Sequence, residues 1–132
     1  MKQAILAVSI LLAACQRTAR PAEAVASPRA SVYEMELGKQ TFQAYCAGCH
    51  GDTGQGDGFN SFNLDPHPRD LSDPVFQKSK SNAELADTIR RGGAGVGLSS
   101  LMPPWGHTLD ARHVQDVVFY VRSLRRGVVT GR

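Results

Sequence analysis

The apolar positions of this chain fall into three helical stripes separated by glycine- and proline-rich stretches. The clearest is Val114, Val117, Val118 and Val121, which follow the i, i+3, i+4, i+7 rule of a helix with one buried face. Asp110 stands where its N-cap is needed, and Gly127, just beyond Arg126, reads as the terminator. Leu85 and Ile89 lie four apart behind Ser81-Asn82-Ala83-Glu84, a capping-box sequence, and Gly92 supplies a stop. A first stripe, Leu37, Thr41, Phe42 and Tyr45, follows the same signal in Ser31-Val32-Tyr33-Glu34. Ser72-Asp73-Pro74 predicts one further short turn. The pattern is that of an all-α domain with three main helices and a short helical turn.

Upstream of the first stripe the chain changes character. Met1 and Lys2 give a positive end, and Ala4 to Ala14 is a mostly apolar run, the layout of an export signal and too short to span a bilayer. It closes in Leu12-Ala13-Ala14-Cys15, which resembles the lipobox of bacterial lipoproteins, in which the cysteine carries the lipid anchor. Gln16 to Ala30 is rich in Ala, Pro, Arg and Ser and reads as a tether, with a flexible reach of roughly 20 Å and a contour limit of about 50 Å. The expected organisation is a signal peptide over residues 1–14, the lipidated Cys15 and flexible tether over 15–30, a folded domain over 31–127 and a tail over 128–132. The anchored domain would face the periplasm. Gln16 is not the Asp associated with inner-membrane retention in enteric bacteria and leans towards the outer membrane, leaving the choice open.

The 132 residues carry a formal charge of +3. Between Ser31 and Arg126, however, ten Lys/Arg face eleven Asp/Glu, so the folded part is near neutral and the excess lies in Lys2, Arg17 to Arg29 and Arg132. No basic face with interleaved aromatics appears, which argues against nucleic acid as a partner. Two glycine-rich connections, Gly51 to Asn63 and Gly92 to Pro104, lack enough large apolar groups to pack themselves. A large ligand held between them would supply the missing core.

Cys46-Ala47-Gly48-Cys49-His50 names that ligand, because CxxCH is the attachment pattern of c-type haem. Thiols one helical turn apart add to two vinyl groups on one side of a porphyrin, and the adjacent imidazole can bind the iron. Two rivals are a structural zinc site, which needs four N/S ligands, and a redox dithiol. The third cysteine, Cys15, lies in the lipobox, and there is no second CxxC and no βαβ pattern. Gly92 to Gly97 does not match a dinucleotide fingerprint, and Asp52 to Gly58 lacks the calcium-loop spacing.

From about Ser31 to Arg126 the sequence resembles the class I cytochromes c. The resemblance rests on Gly38 and Phe42 leading to Cys46, Cys49 and His50, then Leu101-Met102-Pro103-Pro104-Trp105 and Tyr120-Val121-Arg122-Ser123-Leu124 in the family's order. It implies the cytochrome c fold around a single haem c held by Cys46 and Cys49, with His50 and Met102 as the iron ligands. Independently, Met102 is one of three methionines, the others being Met1 and Met35, and it sits in a loop stiffened by two prolines. His67 and His107 are rival nitrogen ligands, whereas His113 falls at a solvated or capping position. The resemblance further implies a close crossing of first and last helices, Gly38 meeting Val117 and Phe42 packing near Tyr120. It also implies a proline carbonyl, of Pro66 or Pro68, accepting from His50, and Arg69, Arg90, Arg91 and Trp105 are candidates for the haem propionates.

With both axial positions filled, the implied function is to carry single electrons between redox protein partners, not to turn over a small-molecule substrate. Two other classes stay open at this point. A dedicated electron-transfer subunit of an oxidoreductase would co-purify in a stable complex, and a haem enzyme or ligand sensor with a labile Met102 would bind CO or cyanide rapidly.

Overall fold

The structure is a computed structural model that describes residues 28–126; Cys15, the signal segment, most of the tether, Gly127 and the tail lie outside the described residues. Five α-helices follow one another: α1 (Pro28–Tyr45), α2 (Ala47–His50), α3 (Pro74–Ser79), α4 (Asn82–Gly95) and α5 (Ala111–Ser123). A 3-10 turn over Phe59–Asn63 interrupts the first long connection, and the described residues contain no strand. No helix among them is long and apolar enough to cross a membrane.

Local chemistry explains most of the helix starts. The Asp110 carboxylate accepts from the His113 amide at 2.9 Å. The Ser81 hydroxyl accepts from the Glu84 amide while Glu84 bonds back to the Ser81 amide, completing the box. Asp73 accepts from Val75 with Pro74 at the first position of α3. The first helix departs from expectation, since it already includes Pro28, the first described residue, and runs straight through Ser31. Ser31 is therefore not its cap. At the other end α5 stops at Ser123, earlier than the Arg126–Gly127 boundary expected from the glycine.

The centre of the molecule is the crossing of α1 and α5. Phe42 is 0% exposed and packs with Val114, Val117, Val118 and Val121, joined by Leu85, Ala86 and Ile89 of α4 and by Leu109. Burying each such aliphatic side chain stabilises by about 1.5–3 kcal/mol, so this valine stripe sets where α5 lies. The Phe42 and Tyr120 rings stand 5.3 Å apart at 57°, a favourable tilted pair. Gly38 lets the backbones touch, and the atoms nearest to it belong to Asp116 and Tyr120 where Val117 was expected. A Cβ at Gly38 would lie 2.0 Å from the Asp116 carbonyl oxygen and 3.0 Å from Tyr120 Cβ. The helices meet one residue earlier along α5 because the contact is glycine against main chain.

Asp116 itself is buried, and its Oδ2 has no hydrogen-bond partner among the described residues. Burial raises its pKa above the ordinary 3.8, with Glu34 and Asp110 adding to the rise and Arg112 and His113 opposing it. A raised folded-state pKa means that the native protein holds the proton more tightly than the unfolded chain. Its contribution is favourable in acid and is lost as pH rises from the ordinary carboxylate value through the folded one. Asp116→Asn should therefore gain stability relative to the natural protein across that rise, as read by denaturant midpoints between about pH 3 and pH 7. A difference independent of pH would contradict it.

Candidate functional site

Cys46 to His50 sit where α1 hands over to α2. Cys49 and His50 both direct their amides to the Cys46 carbonyl, at 3.1 and 2.9 Å, so the two thiols and the imidazole are held within one turn. Both thiols are free and half-buried. Burial, with the neighbouring Cys49 adding to it, pushes the Cys46 thiol up to about 12. For Cys46 that is opposite to the low pKa of a redox-active thiol. Among the described residues no three His, Cys, Asp or Glu cluster to hold a metal ion.

His50 is half-buried, and burial lowers its pKa below the ordinary 6.5, against the opposing effect of a backbone hydrogen bond. That bond runs from Nδ1 to the carbonyl of Arg69 at 3.1 Å. A carbonyl only accepts, so Nδ1 carries the hydrogen and Nε2 of the neutral ring keeps its lone pair. The acceptor is Arg69, not the carbonyl of Pro66 or Pro68. The Pro68 carbonyl faces the other way, against Gly56, where a Cβ would lie 2.4 Å from its oxygen.

Met102 is half-buried and packs against the core cluster together with Trp105. Its loop is fastened along the end of α4 by Trp105 N to Ile89 O, Gly106 N to Arg90 O and Gly93 N to Met102 O, all 2.9–3.0 Å. Gly92 breaks the helix as expected, with φ 68°, but a further turn resumes to Gly95. Gly92 and Gly93 admit the returning chain, since a Cβ on Gly93 would lie 1.9 Å from the Ser99 carbonyl oxygen. Of the rival ligands, His67 and His107 are exposed, and His113 bonds Asp110 at 2.9 Å through Nδ1.

The propionate candidates scatter. Arg90 and Arg91 both pair with Asp87 on the exposed face of α4, Arg69 lies over the Phe76 ring at 5.3 Å, and the Trp105 ring stacks on Tyr45 at 5.3 Å. Two features escaped sequence reasoning. The 3-10 turn presents Phe59 and Phe62, three apart, to solvent, and Gln77 on α3 is buried. Neither belongs to a periodic stripe.

The donor set fits a haem. Two thiols lie one turn apart beside an imidazole whose tautomer leaves Nε2 for a metal, and a thioether is presented at the core by a loop fastened to α4. Such a fold and site define a class I c-type cytochrome domain. Residues 34–121 match the family described as cytochrome C oxidase, cbb3-type, subunit III. The chain is 32% identical over 100 residues to the cbb3-type cytochrome c oxidase subunit FixP of Bradyrhizobium diazoefficiens, a match covering 76% of this chain and 31% of that protein. It is similar at 32% to subunit CcoP of Azospirillum brasilense, covering 70% of this chain and 29% of that one. To cytochrome c6 of Tetradesmus obliquus it is 34% identical over 94 residues, 71% of this chain and 94% of that protein. The chain belongs to this cytochrome family, and its cofactor is haem c. It spans about a third of the length of the FixP and CcoP relatives.

Proposed function

We propose that the chain is a monohaem electron carrier, attached to haem c through Cys46 and Cys49, with His50 and Met102 as the axial iron ligands. The observation that carries this reading is the His50–Arg69 hydrogen bond, which fixes the tautomer that leaves Nε2 free to bind iron. The bound haem supplies reversible one-electron chemistry at its iron. The residues of the chain do the rest. The Arg69 carbonyl orients His50 and increases its basicity, while the α4-fastened loop presents the Met102 thioether. Sulfur ligation favours the reduced state and raises the potential, and two protein ligands leave no position for a substrate. The Phe42–Tyr120 pair holds α1, which leads into Cys46 and His50, against α5.

Residues 1–14 are read as an export signal, Cys15 as the lipidated residue and residues 16–30 as the tether, placing the domain at the periplasmic face of a membrane, where it exchanges electrons with redox protein partners. The family match favours a second reading, in which the domain serves as the electron-transfer subunit of an oxidase complex; a stable complex that co-purifies would distinguish it.

The test is an optical and redox titration of the haem-loaded protein against Met102→Ala. Loss of the sulfur-to-iron charge-transfer band and a lowered midpoint potential are expected. An unchanged spectrum would remove Met102 as ligand.

A further inference from the structure

The carbonyl that receives the His50 hydrogen bond belongs to a short strap, Arg69 to Ser72, whose Leu71 side chain packs against the core cluster. Polar tethers hold it. The Leu71 amide donates to the Gly54 carbonyl at 2.6 Å, and the Leu71 carbonyl accepts from Gln77 Nε2 at 2.6 Å. The same Nε2 donates to the Val121 carbonyl of α5 at 2.8 Å, and Gln77 Oε1 accepts from Arg122 Nη1 at 2.8 Å. Gln77 is only 5% exposed, so this amide has been taken out of water with both its donor and acceptor atoms engaged. At the far end of the strap the Arg126 amide donates to the Ser72 carbonyl at 3.0 Å, and Arg126 Nη2 donates to Asp70 Oδ2 at 2.6 Å. Asp70 Oδ1 accepts from the amide and hydroxyl of the buried Ser72.

A buried amide is costly unless its bonds are made, and a leucine at position 77 would fill the space without that cost. What Gln77 adds is direction. By pinning the Leu71 carbonyl to α5 it fixes the peptide planes two residues from the carbonyl that faces His50, and Arg126 holds Asp70 and Ser72, the residues on either side of Leu71. We infer that Gln77, backed by Arg126, is a positioning residue for His50: it sets the Arg69 carbonyl against Nδ1 and so sets how strongly the imidazole donates to iron. The inference rests on the reading of His50 as an iron ligand. A loosened strap lengthens the Nδ1–H···O bond, lowers the electron donation of the ring and makes the oxidised state less favourable.

Two measurements on the haem-loaded protein test it: deuterium exchange of the His50 Nδ1 proton by NMR, and the midpoint potential. Gln77→Leu is expected to speed exchange by about tenfold or more and to raise the potential. Arg126→Ala, at an exposed side chain, is expected to move both in the same direction by less, and it carries the test should Gln77→Leu fail to fold. Leu85→Ala, a core truncation on α4 away from the strap, is the control for general loosening. The inference is overturned if both strap variants leave exchange and potential unchanged, or if Leu85→Ala reproduces their shifts. A natural protein whose oxidised form lacks hyperfine-shifted His50 ring protons would remove the ligand reading itself, and the inference with it. Shifted protons together with silent strap variants would remove the inference alone.

Discussion

Gly38→Ala is expected to be among the most damaging single changes in the domain. The added methyl would sit 2.0 Å from the Asp116 carbonyl oxygen and 2.6 Å from its carbon, and these are backbone atoms of a helix that cannot swing aside as a side chain could. Helices α1 and α5 must then move apart, and the cost spreads to everything their closeness allows: the Phe42–Tyr120 ring pair and the burial of Val117 and Val121. Overpacking of this kind costs about 3 kcal/mol, against a helix-propensity gain of less than about 1 kcal/mol for replacing glycine. The melting temperature of a domain this size should fall by about 10 °C or more. Thermal unfolding followed by helical circular dichroism reads it directly, and a variant as stable as the natural protein would show that the crossing is looser than its geometry states.

The second large effect is local to the site. In Gly93→Ala the new Cβ would meet the Ser99 carbonyl at 1.9 Å, so the returning loop must lift from α4 and carry Met102 with it. The expected outcome is a folded protein that has lost much of its sulfur-to-iron charge-transfer band, because Gly93 lies outside the α1–α5 crossing. Gly97→Ala is the matching control. Its φ of +75° makes any side chain strained, by about 1–2 kcal/mol, yet nothing lies within 4 Å of the added Cβ. Stability should drop slightly while the Met102 signature stays. Equal loss of the band in both variants would mean that backbone strain, not the clash, governs the loop.

Parts of this architecture could be read from residue order because their causes act over three or four residues. The Asp110, Ser81 and Asp73 caps bond to amides two or three positions downstream, and the α5 valines share a face by helical geometry alone. The limits of such reading have equally physical origins. Ser31 to Glu34 has the same pattern as Ser81 to Glu84, yet it lies inside α1, because those residue types also tolerate a helix interior and the helix already includes Pro28 upstream. Which residue of α5 meets Gly38 depends on the angle and register of two helices about eighty positions apart in the chain, and no periodicity encodes that. The same holds for Gln77, whose partner at Val121 is 44 residues away.

By itself the amino-acid order determined the helices, their caps, the thiol pair with its adjacent imidazole, and a glycine-laden chain in need of a large partner. Tertiary structure alone decided that the Arg69 carbonyl supports His50, that the Asp116 backbone seats Gly38, and that Gln77 ties the strap to α5. The division follows from range: propensity, capping and motif spacing are properties of neighbours along the chain. A carbonyl's direction or a helix contact is settled only when distant segments exclude water together.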